Sequence, residues 1–123
     1  MKNITLEWIK KAEADFSDAH AKLSVDLVCF LSQQCVEKYL KGYLDEQGIP
    51  FPRTHDLEDL LDLTLELQPL WDSWRSSISA LTQYAAEFRY PGEWAEEKDA
   101  VSALQIATEF RKDVRIALGL PHG

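Results

Sequence analysis

Apolar residues recur at three- and four-residue intervals through most of the chain, and nowhere do they alternate as in a half-buried strand. The spacing predicts a first helix over 5–23, with Ile9, Ala12, Phe16, Ala19 and Leu23 on one stripe. A second helix is expected over 25–47. Ser24 stands where its N-cap belongs, and Gly48 where glycine takes the left-handed turn that stops a helix. Its apolar positions run from Leu27 and Val28 through Val36 and Leu40 to Tyr43 and Leu44. They cover more than half the circumference, the pattern of a helix surrounded by others.

Residues 49–55 form the main loop, punctuated by Pro50 and Pro52. A short helix over 56–67 follows, with Thr54 or Asp56 as its cap, and ends before Pro69. A fourth helix over 71–88 aligns Trp71, Trp74, Ile78, Leu81, Ala85 and Phe88, until Tyr90-Pro91-Gly92 breaks it. The last, over 94–118, turns Ala103, Ala107, Phe110, Val114 and Ala117 inward and stops at Gly119 and Pro121. Four long amphipathic helices on short connections favour antiparallel neighbours, so the expected fold is all-α: an antiparallel up-and-down four-helix bundle with one additional short helix. With no repeat, low-complexity tract or long linker, 1–123 reads as a single domain.

Composition narrows the class. Hydrophobic residues at 46% and charged residues at 28% exclude a disordered chain. No apolar run approaches the roughly 20 residues that cross a bilayer, and Met1-Lys2-Asn3-Ile4-Thr5 leads into no signal-peptide core. A cytoplasmic protein with no membrane partner is expected. Cys29 and Cys35 lie in one helix about 240° apart around its axis, so they cannot pair with each other, and no Cys or His stands at a zinc-ligand spacing. The formal net charge of −8 argues against generic nucleic-acid binding, which depends on Lys and Arg displacing counterions.

Three places hold residues with chemistry. On the second helix Gln34, Lys38 and Lys41 fall at i, i+4 and i+7, with Glu37 four residues before Lys41. This narrow polar strip is either a solvated stripe or a ligand- or partner-facing surface. The loop brings Arg53, Thr54 and His55 next to Asp56, where His55 either orients the turn or serves as a base or phosphate contact. Near the end of the fourth helix stand Tyr84, Glu87, Arg89 and Tyr90; Arg89 either caps the helix or offers its planar fork to a phosphate. No metal site, glycine-rich phosphate loop or serine-nucleophile turn is present, and neither metal nor cofactor is expected.

Four segments carry a family resemblance. They are Trp8-Ile9-Lys10-Lys11-Ala12-Glu13-Ala14-Asp15-Phe16; Cys29-Phe30-Leu31-Ser32-Gln33-Gln34-Cys35-Val36-Glu37-Lys38-Tyr39-Leu40-Lys41, with a Gln-x-x-Glu-Lys-x-x-Lys pattern; Thr54-His55-Asp56-Leu57; and Phe88-Arg89-Tyr90-Pro91-Gly92. In this order the chain resembles the HEPN domains. The resemblance implies a helical bundle that forms homodimers, binds nucleotides and is often encoded beside a minimal nucleotidyltransferase in toxin–antitoxin pairs. Many members are metal-independent ribonucleases that use an Arg with a His four to six residues beyond it. This chain departs there: Tyr90, Pro91, Gly92, Glu93, Trp94, Ala95 and Glu96 follow Arg89, with no histidine. Arginine can stabilise a phosphate but cannot shuttle the protons that attack by a 2′-hydroxyl requires. The resemblance therefore implies a non-catalytic HEPN domain that binds an ATP-like nucleotide, a nucleotidyltransferase partner, or both. Gln34, Lys38, Lys41, Arg89 and His55 are the candidate contacts, and Tyr84 or Tyr90 the stacking groups. The alternatives are a ribonuclease toxin using Arg89 with His55, and a plain helical dimerisation module.

Overall fold

The structure, a computed structural model, describes residues 1–21, 24–86, 91–92 and 94–123. It contains α1 (Asn3–Ala19), α2 (Val25–Glu46), α3 (Leu57–Thr64), α4 (Arg75–Ala86) and α5 (Glu97–Ala117), with a 3-10 helix, Pro69–Trp74, leading into α4. The described residues include no strand, as the all-α expectation requires. Leu23, Glu87, Phe88, Arg89 and Tyr90 lie outside the described residues.

The helix ends follow from local chemistry. Ser24 accepts the Leu27 N–H at 3.3 Å, and Asp56 accepts those of Glu58 and Asp59, satisfying donors that a helix start leaves free. Gly48 takes φ +70°, and the Ile49 N–H donates back to the Leu44 carbonyl at 2.9 Å, closing α2 in a Schellman turn. Three boundaries differ from the periodicity. The first helix ends at Ala19 rather than at 23. The segment expected to open the fourth helix is wound as 3-10, because Pro69 at its first turn lacks an N–H and presets φ for a tight start. The last helix begins at Glu97, where Glu96 and Asp99 form a reciprocal capping box; this leaves Trp94 outside the helix and exposed.

The pairings between helices fix their directions. Thr5 bonds Glu46, Trp8 bonds Asp45 and Tyr39 bonds Glu13, so α1 and α2 are antiparallel. The Ala95 N–H donates to Asp26 and Arg115 donates to the Tyr39 hydroxyl, so α5 runs with α2. Trp74 at the head of α4 donates to Asp113 near the end of α5. Helix α2 packs against α1, α3, α4 and α5, which explains its wide apolar surface. Between α2, the 3-10 segment and α5 lies an aromatic cluster, with Trp71 4.8 Å from Tyr43 and 5.7 Å from Phe110, and Trp74 5.3 Å from Phe110 between ring centres.

A second fastening is ionic. Glu13 of α1 accepts two parallel hydrogen bonds from Arg111 of α5, both 2.7 Å, and a third from the Tyr39 hydroxyl at 2.7 Å. Arg115 reaches the same tyrosine at 3.0 Å. The Arg111 bonds above all, then that of Tyr39, hold the Glu13 carboxyl below its ordinary value of 4.5 despite partial burial. A depressed carboxylate stabilises the fold above its unfolded-state pKa and loses that contribution as pH falls through the folded value. The stability contributed by this network should therefore begin to fall below about pH 4.5, and Glu13→Gln should flatten the low-pH fall in stability measured by chemical denaturation. An unchanged acid limb in that variant would exclude the network as its source.

Candidate functional site

Glu37 and Lys41 stand one turn apart on α2, where four-residue spacing lets a carboxylate meet an ammonium. Lys41 Nζ donates to Glu37 Oε2 at 3.0 Å, and the two side chains are only 8% and 3% exposed. Such burial of a pair is unusual, and two neighbours cause it.

The first is Trp8 of α1. A Cβ built on Gly42 would stand 3.1 Å from that of Trp8, so the missing side chain at Gly42 lets α1 approach closely. The indole is anchored by its Nε1–H, which donates to Asp45 at 2.7 Å, and the Lys41 ammonium sits 5.5 Å from the ring centre. The second neighbour is the loop after Gly48. Its prolines keep it extended, Phe51 packs against the core, and Thr54 accepts the Asp56 N–H at 3.0 Å just before Asp56 caps α3. His55, between two fixed residues, is thereby placed with Nδ1 at 3.1 Å from both Glu37 oxygens.

Facing a carboxylate, Nδ1 must carry the hydrogen, which leaves Nε2 of the neutral ring as an acceptor. The imidazole is 82% exposed, while the carboxylate that orients it is buried. Together Trp8, Lys41, Phe51, Arg53, Thr54 and His55 line a cleft of about 470 Å³, with Glu37 beneath. Aromatic walls, a buried ammonium, a rim guanidinium and an oriented imidazole suit an anion that carries a ring.

Of the candidate contacts named from the sequence, Lys41 and His55 meet here, beside Arg53 and Thr54 of the same loop. Lys38 does not: its Nζ lies 2.5 Å from Asp15 of α1, because α1 runs along the polar strip and takes Lys38 as its ion partner. Gln34 donates to Gln33 at 3.0 Å, and Tyr84 lines a separate depression between α4 and α5 with Ser76, Ser102 and Gln105. Arg89 and Tyr90, the other two candidates, are outside the described residues. The contributions of Trp8 and Phe51 were not legible beforehand, since an aromatic at helical spacing or in a loop reads as core.

Elsewhere the chemistry is poorer. A hollow of about 600 Å³ between α3 and α4 is lined by Asp56, Glu58, Asp59 and Asp62, a surface that repels anions. Among the described residues no group of three His, Cys, Asp or Glu could hold a metal ion. Cys29 and Cys35 are free and buried; burial pushes the Cys29 thiol up to about 11 and raises Cys35 as well, so neither is a ready nucleophile. No helix is long and apolar enough to cross a membrane among the described residues.

Comparison with known proteins gives this arrangement a family. No match was found among curated proteins. The crystal structure of an archaeal HEPN homologue superposes with a TM-score of 0.67 at 28% identity, covering 96% of this chain and 99% of that one. The family model of the HEPN domain matches residues 5–117, which take in both sides of the cleft and every helix down to the end of α5. The chain belongs to the HEPN domain family.

Proposed function

We propose that this HEPN domain works by binding rather than by catalysis, and that a nucleotide occupies the cleft of Trp8, Lys41, Arg53 and His55. A single observation carries the reading: a buried Glu37–Lys41 pair on α2 and an imidazole from a distant loop converge beneath an anchored tryptophan. Burying two charges is costly, and an arrangement that retains them at the floor of an open cleft has the character of a recognition site. Indole stacking on a base and a guanidinium on a phosphate are the interactions that the lining offers.

In the cell, the domain acts in this proposal with a minimal nucleotidyltransferase in a toxin–antitoxin-type pair, and as a homodimer, an assembly common among HEPN domains. One observation favours the ribonuclease alternative. The Glu37-oriented imidazole of His55 presents a free acceptor nitrogen, as a general base must.

Thermal unfolding with millimolar nucleotide tests both. Stabilisation is expected in the wild type, since a ligand at one hundred times its Kd adds about 2.7 kcal/mol. Arg53→Gln, at an exposed position, should abolish the shift while leaving the ligand-free melting temperature unchanged. No shift with any nucleotide would remove the binding reading. RNA incubated with the protein in EDTA should stay intact; cleavage lost in His55→Ala would move the assignment to the ribonuclease.

A further inference from the structure

We infer that the cleft selects a nucleotide bearing one phosphate and discriminates against di- and triphosphates. The inference rests on the nucleotide reading above and goes further by naming the ligand class. It follows from a count of the charge that a ligand would meet. Among the described residues two cations line the cleft, Lys41 and Arg53. Lys41 is already matched by Glu37 at 3.0 Å, and His55 spends its Nδ1–H on the same carboxylate. What remains for a phosphate among the described residues is the Arg53 guanidinium, a fork that engages one phosphoryl group.

Beyond that rim the charge reverses. The chain leaving His55 runs directly into Asp56, Glu58 and Asp59 at the head of α3, and on the α1 side the Trp8 wall is itself held by a carboxylate, that of Asp45. A second or third phosphate extended from Arg53 toward α3 would stand against carboxylates, in a protein of net charge −8. Arg75 of α4, which reaches α3, is already bonded to Glu58 and Asp62 of that helix and to Asp72 of the 3-10 segment, so it is not available to a further phosphate. Size agrees with charge: about 470 Å³ lies within the range of pockets that enclose a small ligand, and Trp8 and Phe51 occupy much of its wall as the surface for a base.

The test is calorimetric titration of the intact protein with adenosine, AMP, ADP and ATP, each with and without magnesium. AMP should bind at least tenfold more tightly than either adenosine or ATP, with ADP between AMP and ATP, in both buffers. In Arg53→Gln the advantage of AMP over adenosine should vanish. ATP binding as tightly as AMP, or more tightly, would overturn the single-phosphate class while leaving nucleotide binding in place. Adenosine matching AMP in the wild type would overturn the phosphate contact at Arg53. Absence of heat with all four, confirmed by an absence of thermal stabilisation, would remove this inference and the reading beneath it together.

Discussion

Glu37→Ala should destabilise the fold by about 3–5 kcal/mol, the scale for removing one partner of a buried ion pair. The cause is what remains. The Lys41 ammonium, 8% exposed under Trp8, loses the carboxylate that neutralises it, and His55 loses the group that orients its ring. Against a total stability of about 5–15 kcal/mol for a domain of this kind, such a loss is a large fraction of the whole. Urea denaturation followed by circular dichroism reads it directly. A companion variant separates the pair's structural and functional contributions. Glu37→Leu combined with Lys41→Leu removes both charges and keeps the volume, so its stability should stay within about 1–2 kcal/mol of wild type, since well-packed apolar replacements of buried pairs are often neutral. Nucleotide binding should nonetheless disappear. If the single variant lost less than about 1 kcal/mol, Lys41 would have to find water or another acceptor, and the buried pair would not be the floor of the site.

Phe110→Ala is expected to cost a similar amount, about 3–5 kcal/mol, by a different mechanism. The ring is fully buried and makes edge contacts to Trp71 and Trp74, so its removal forfeits transfer energy and opens a hole that rigid aromatic neighbours fill poorly. The midpoint of denaturation should fall while its slope stays constant, as for lost packing in an otherwise unchanged native state. Lys41 of the cleft and Tyr43 of this cluster stand two residues apart on α2 and so point to opposite sides of it; under the proposed nucleotide reading, AMP affinity at low temperature should be retained in Phe110→Ala and lost in the charge-pair double variant. A loss below about 1.5 kcal/mol in Phe110→Ala would mean that Trp71 and Trp74 collapse into the space, and that the cluster is less constrained than its ring geometry implies.

The helical architecture was legible from the order of residues, because a 3.6-residue period depends only on which positions are apolar, and caps act over three or four residues. Ser24, Asp56 and Gly48 needed no tertiary information to take up their roles. Boundaries were less legible where a local competitor intervened: Pro69 imposed a 3-10 start, and the Glu96–Asp99 box began α5 three residues later than the apolar pattern suggested. The pairing of Glu37 with Lys41 was foreseeable, since both lie on one helix. Its burial was not.

Burial depended on a glycine in one helix meeting a tryptophan in another, and on a loop folding back so that His55 reached a carboxylate eighteen residues before it. The same limit hid the Glu13 network, whose Glu13–Arg111 hydrogen bonds join residues 98 apart along the chain. It also misplaced Lys38, whose shared face with Lys41 is divided by the passage of α1. The chain's own order thus determined its helices, their inner faces and its HEPN family membership, since each rests on short-range spacing. Tertiary structure alone decided which polar groups meet and which are withdrawn from water, because electrostatic partners are chosen by distance through space, which spacing along the chain does not encode.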